Sequence, residues 1–114
     1  MADIDEKLLA LPGALAVFEF SDRGELTAWK VKEDASELDQ NTLDLLSHMC
    51  VANLSISTMQ ARGWEKLTGM EGFYPISGFT LIGMDWSTVI KGQRGVIFEN
   101  DKADYQAAYD LLNG

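Results

Sequence analysis

The sequence is poor in the residues from which most active sites are built. It holds a single cysteine, Cys50, and a single histidine, His48. One cysteine excludes an intrachain disulfide framework and fits a reducing compartment. One cysteine with one histidine also falls short of the ligand set of a structural zinc. Two positions apart on a helix means about 200° of rotation, so His48 and Cys50 face away from each other. A nucleophile needs its base within hydrogen-bond reach, which removes the pair as a dyad. Cys50 therefore reads as a small buried apolar residue and His48 as a surface or interface residue. Neither a Gly-x-Gly-x-x-Gly stretch nor a Gly-rich loop followed by Lys-Ser or Lys-Thr is present, so both phosphate-cradling signatures are missing. The expectation is a chain with no catalytic residues, no cofactor and no metal.

Positive charge is scarce too. Nine basic residues stand against 18 acidic ones, for a net charge of −9. That field repels a phosphate backbone and an anionic lipid surface, which argues against nucleic-acid and membrane partners. Residues 1–57 hold 11 of the acids and only four of the bases. Such an excess keeps a chain soluble and leaves room for a basic protein partner. No apolar run approaches the roughly 18 residues of a membrane span. The first six residues are acidic where a secretory signal is basic, so the expected location is cytoplasmic.

What is present is ordinary globular material: 46% hydrophobic and 24% charged residues over a length of 114, which suits one domain covering 1–114. Asp3 and Glu6 have the spacing of a capping box, with Ile4, Leu8 and Leu11 on one face of a short helix that Pro12-Gly13 stops. Ala14 to Phe20 and Glu25 to Val31 read as a hairpin around the turn Ser21-Asp22-Arg23-Gly24. Leu15 and Val17 point to one face, Ala16, Phe18 and Phe20 to the other, so the sheet should be covered on both sides. From about Glu37 to Arg62 there is neither Gly nor Pro, with Asp34, Ser36 or Asn41 available as its cap. Leu38, Leu45, Met49, Ala52, Ile56 and Met59 recur there at spacings of three, four or seven. Such a helix spans on the order of 40 Å and reaches past a domain of this size. Ser55-Ile56-Ser57-Thr58 weakens its second half. Gly78–Gly83, Trp86–Lys91 and Gly95–Glu99 read as three short strands. Asp101 can cap a last helix whose buried stripe is Tyr105, Ala108, Tyr109 and Leu112.

The run Leu11-Pro12-Gly13-Ala14-Leu15-Ala16-Val17, followed by the turn Asp22-Arg23-Gly24, resembles the Roadblock family of profilin-like domains. Element order carries the resemblance over the whole chain, and motif-level likeness covers about residues 8–31. Lys102-Ala103-Asp104-Tyr105 after the strand triplet is similar to a prokaryotic branch associated with sulfur-oxidising bacteria and heterodisulfide-reductase-like complexes. The resemblance implies an α+β fold: a single five-stranded antiparallel sheet flanked by three helices. It further implies a homodimer in which two long helices pack together and two sheets join edge to edge near Gly78–Gly83, from Phe79 onward because Pro75 lacks a ladder donor.

The expected dimer interface is Leu45, Met49, Ile56 and Met59 on the long helix with Phe79 and Leu81 on the joining strand. Met residues suit such a surface because they repack readily. Trp64, Phe73 and Tyr74 form either an aromatic contact patch or a satellite core over a sheet end. Asp85 reads as turn chemistry. The expected function is a non-catalytic homodimeric scaffold docking onto an unidentified protein complex, such as a heterodisulfide-reductase-like one. The alternatives are a small-molecule sensor, with Trp29 and Trp86 beside a ligand between sheet and helix, and a regulator of a small GTPase.

Overall fold

A computed structural model describes residues 4–113. The chain runs α1 (Ile4–Leu9), β1 (Ala14–Phe20), β2 (Leu26–Val31), α2 (Gln40–Thr68), β3 (Gly78–Ile82), β4 (Trp86–Lys91), β5 (Arg94–Glu99) and α3 (Tyr105–Asn113). The five strands form one antiparallel sheet in the order β2-β1-β5-β4-β3, which leaves β2 and β3 as its edges. This is the expected α+β class, with three helices around a five-stranded sheet.

Both faces of the sheet carry core, as the apolar β1 requires. On one side Leu15, Ala16, Phe18, Phe20, Ile90 and Ile97 meet Leu43 and Cys50 of α2. On the other, Val17, Val89, Val96 and Phe98 meet Leu8 of α1 and Ala108 of α3. The assignment of Leu15 to the face of Val17 is corrected here. Ala14 pairs with Phe98 and Ala16 with Ile97, so Leu15 is the extra residue of a bulge. A bulge breaks the alternation, and Leu15 joins the α2 side with Ala16.

The turns explain the two glycines of the opening motif. Gly13 has φ +78°, and a Cβ there would lie 2.7 Å from Cβ of Lys102. Gly24 has φ +89°, and its Cβ would sit 2.8 Å from Cα of His48 on α2. The hairpin turn is therefore packed on helix backbone, where no other residue fits without displacement. The Asp44 carboxylate adds a tie by accepting the Leu26 N–H at 3.1 Å.

Caps fall where the acids allow, and twice the structure chooses a neighbour of the expected residue. Asp39, rather than Asp34, Ser36 or Asn41, caps α2 by accepting the Thr42 N–H at 2.8 Å. Residues 32–38 instead turn inward, burying Ala35 and Leu38 against the α2-side core. Asp104, rather than Asp101, caps α3 through the Ala107 N–H at 3.0 Å, because residues 99–103 are spent in successive turns. The Asp3 cap of α1 lies outside the described residues.

Two glycine substitutions test this packing by urea unfolding. Gly24→Ala should cost more than about 1 kcal/mol, from its positive φ and the His48 backbone. Gly63 lies inside α2 with nothing within 4 Å of a built Cβ, so Gly63→Ala should stabilise by roughly 0.5–1 kcal/mol.

Candidate self-association surface

At 1.5 Å per residue the 29 residues of α2 rise about 43 Å, close to the 47 Å longest extent of the molecule. The sheet-packing cluster uses its first half, and in the second half Ala61 alone is buried. Leu43, Leu46, Cys50 and Val51 pack against the sheet, and buried Ser47 returns its hydroxyl to the Leu43 carbonyl at 2.8 Å. Beyond Val51 the helix runs on to Thr68 and ends in left-handed Gly69. It thus starts three residues later and ends six later than the sequence indicates. The hydroxyls that should weaken it are satisfied within it: Ser55, Thr58 and Thr68 donate to the carbonyls four residues back, at 2.6–3.0 Å.

The recurrent apolar residues of the sequence lie on the other face. Leu45, Met49, Ile56 and Met59 are all exposed, Met59 by 74%, with exposed Ala52 between them. Their spacing of 4, 3, 4 and 3 is that of a helix–helix seam rather than of a sheet-packing face. Leu38, assigned to the same stripe, belongs instead to the buried connector. Phe79 and Leu81 share the α2 side of β3, since Phe79 pairs with core residue Ile90 and Leu81 with Thr88. Phe79 is half-buried against its own core, while Leu81 is exposed. The surface is therefore an exposed helix stripe and, on the same side, an edge strand with an uncovered leucine.

The remaining candidates fall to other roles. Cys50 is buried in the core, which pushes its thiol up to about 11. His48 is exposed beside Asp44, whose carbonyl lies 2.8 Å from Nδ1. Among the described residues no group of His, Cys, Asp or Glu is placed to hold a metal, and no helix is long and apolar enough to cross a membrane. Trp64 and Phe73 meet edge-on at 5.5 Å, and Tyr74 lies beneath the Arg62 guanidinium. They gather near the end of α2, outside the two core clusters. The Glu65 carboxylate, which sequence reasoning passed over, gathers this loop by accepting the N–H groups of Gly72, Phe73 and Tyr74. Trp29 and Trp86 are both exposed, Trp29 on edge strand β2 opposite the α2-side core residue Phe18.

Comparison with family models matches residues 5–114 to an uncharacterized conserved protein family, DUF2173. The chain belongs to the DUF2173 family. Comparison with curated proteins returns no match. Among solved structures this DUF2173 chain is similar to a Roadblock/LC7 domain from Streptomyces avermitilis, with a TM-score of 0.73 at 8% identity over 96% of this chain and 89% of that one. It is also similar to the gliding protein MglB from Thermus thermophilus, at 0.68 and 15% over 96% and 86%. An MglB with a tetrameric arrangement gives 0.69 and 17% over 96% and 83%. At these identities the likeness is one of fold, and the fold is of the Roadblock type.

The Glu65 clasp has a pH signature. The backbone N–H groups, that of Tyr74 first, hold the carboxyl below its ordinary value of 4.5. A depressed folded value means stability that is full above the unfolded pKa and lost as pH falls through the folded one. Glu65→Gln should therefore flatten the acid limb of a melting-temperature profile below pH 4.5, while the melting temperatures at pH 7 fall modestly.

Proposed function

We propose that this protein is a non-catalytic homodimeric scaffold or adaptor, formed where the exposed stripe of α2 lies on the same stripe of a second copy. The carrying observation is the run Leu45, Met49, Ala52, Ile56 and Met59, exposed and spaced as a seam. A chain that leaves so many large apolar side chains on one helix face has a partner for them. Leu81 and the free edge of β3 extend the contact, so that the two sheets continue into each other. The tetrameric arrangement named for one MglB of similar fold supports self-assembly as a use of this fold. The whole chain acts as one domain in this reading, in the cytoplasm, with a protein complex as its further partner. A heterodisulfide-reductase-like sulfur-oxidation complex is the partner favoured by the resemblance at 102–105, and regulation of a small GTPase is the other protein-binding role open to the fold.

A small-molecule sensor is the second reading. It is favoured by a cleft of about 320 Å³ between α2 and the strand turns, lined by Phe20, Val51, Leu54 and Thr58 among others.

Native mass spectrometry under reducing conditions separates these readings. The scaffold predicts twice the chain mass with nothing added. Met49→Glu should weaken the dimer by at least about a hundredfold and give the single-chain mass at micromolar concentration, with its helical circular dichroism retained. A single-chain mass for the unaltered protein, or an unchanged dimer in the variant, contradicts it. Extra mass lost on denaturation puts the sensor first.

A further inference from the structure

The turn between β3 and β4 holds a second surface, which the self-association reading does not use. Met84 stands at the tip, 95% exposed, and Trp86 follows it, 39% exposed. The tip is pinned rather than loose. The Gly83 N–H donates to the Trp86 carbonyl at 2.8 Å, the Asn100 N–H to the Asp85 carbonyl at 2.9 Å, and the Asn100 side-chain amide to the Gly83 carbonyl at 2.7 Å. A pinned turn that presents a methionine and a tryptophan loses little conformational freedom on binding, and both residue types are enriched at contact surfaces.

Beneath the tip lies a groove of about 410 Å³, lined by Met84, Asp85, Trp86, Glu99, Asn100 and Asp101. Three of those six are carboxylates. Glu99 has Lys102 at 3.5 Å, both side chains well exposed, and among the described residues no ion pair involves Asp85 or Asp101. The carboxylates do not converge on one point as a metal site would require. The Asn100 side chain serves the turn rather than the groove: its amide donates to the Gly83 carbonyl, and its Oδ1 is shut off from solvent.

An occupant that answers all of this is a flat, extended cation that only donates hydrogen bonds. A guanidinium stacks on an indole face, spreads its five N–H groups over separated acceptors, and lays its aliphatic stem along a neighbouring apolar surface such as Met84. A compact ammonium matches one carboxylate at a time. We infer that the β3–β4 tip and the groove beneath it dock an arginine-bearing segment of a partner protein. The acidic charge of the whole chain favours the encounter, and the groove sets its geometry.

The test is a titration of ¹⁵N-labelled protein with the blocked peptide Gly-Leu-Arg-Leu-Arg-Gly and with its counterpart carrying uncharged citrulline for arginine. The expected result is saturable shifts of the Trp86 indole N–H and the Asn100 side-chain amide with the arginine peptide alone. Asp85→Lys and Asp101→Lys should each weaken that binding by at least about tenfold. Equal shifts from both peptides, shifts spread over the acidic segment 33–39 instead of the groove, or undiminished binding by Asp85→Lys would overturn it. So would a loss of the dimer mass in Asp85→Lys, which would assign the groove to a contact between copies. The dimer mass of the unaltered protein is read separately, so failure here and failure of the self-association reading are distinguishable.

Discussion

A helix of 29 residues over a sheet that needs only its first dozen is the constraint on which the structure turns. The sheet packs Leu43, Leu46, Cys50 and Val51, and after Val51 the helix continues for more than four turns. In water an isolated helix of that remaining length is marginal, and most helical stability comes from packing one apolar face. Hydroxyls bonded to carbonyls four residues back, a left-handed glycine cap and the Glu65 clasp secure the extension locally. They do not cover Ile56, Met59 or Leu67, the last 85% exposed. Of the extension the chain itself buries only Ala61, and the face of Ile56 and Met59 stays open.

The remaining elements are arranged so that this helix is held firmly at one end and presented at the other. The β1–β2 turn packs on helix backbone through Gly24, and Asp44 reaches from the helix to edge strand β2. On the opposite face α1 and α3 close the second core, with Arg94 between Asp5 and Glu19 joining α1 to the sheet. The free edge β3 lies at the other side of the sheet from β2, and its Leu81 faces the α2 layer. The edge strand and the helix stripe are both uncovered on the α2 side of the sheet.

Much of this is legible in the residues, and the misses have physical causes. The five strands follow from short apolar runs between turn residues, and their boundaries fall within one residue of those read from the sequence. The apolar recurrence in 37–62 is legible as well, but not which face it occupies. Sheet packing selects small and mixed residues such as Ser47 and Cys50, whose burial periodicity does not display, while the conspicuous Leu and Met stripe points outward. Gly63 reads as a stop in sequence, yet a helix interior accepts a glycine at a cost of about 1 kcal/mol when local bonds support it. The Leu15 bulge and the choice of Asp39 and Asp104 as caps depend on pairing and connector packing, which no local pattern reports. The groove under the β3–β4 tip joins residues 84–86 to 99–101, and only the fold brings them together.

Hydrogen exchange along α2 reaches the central claim most directly. Amides of 43–50 are protected by the core whatever the state of assembly. If the extension is covered by a second copy, amides of 53–67 exchange nearly as slowly as those of 43–50 at micromolar concentration, and become fast on dilution. Fast exchange across 53–67 at every concentration, with 43–50 still protected, would show a helix extension that stands alone and would contradict the account.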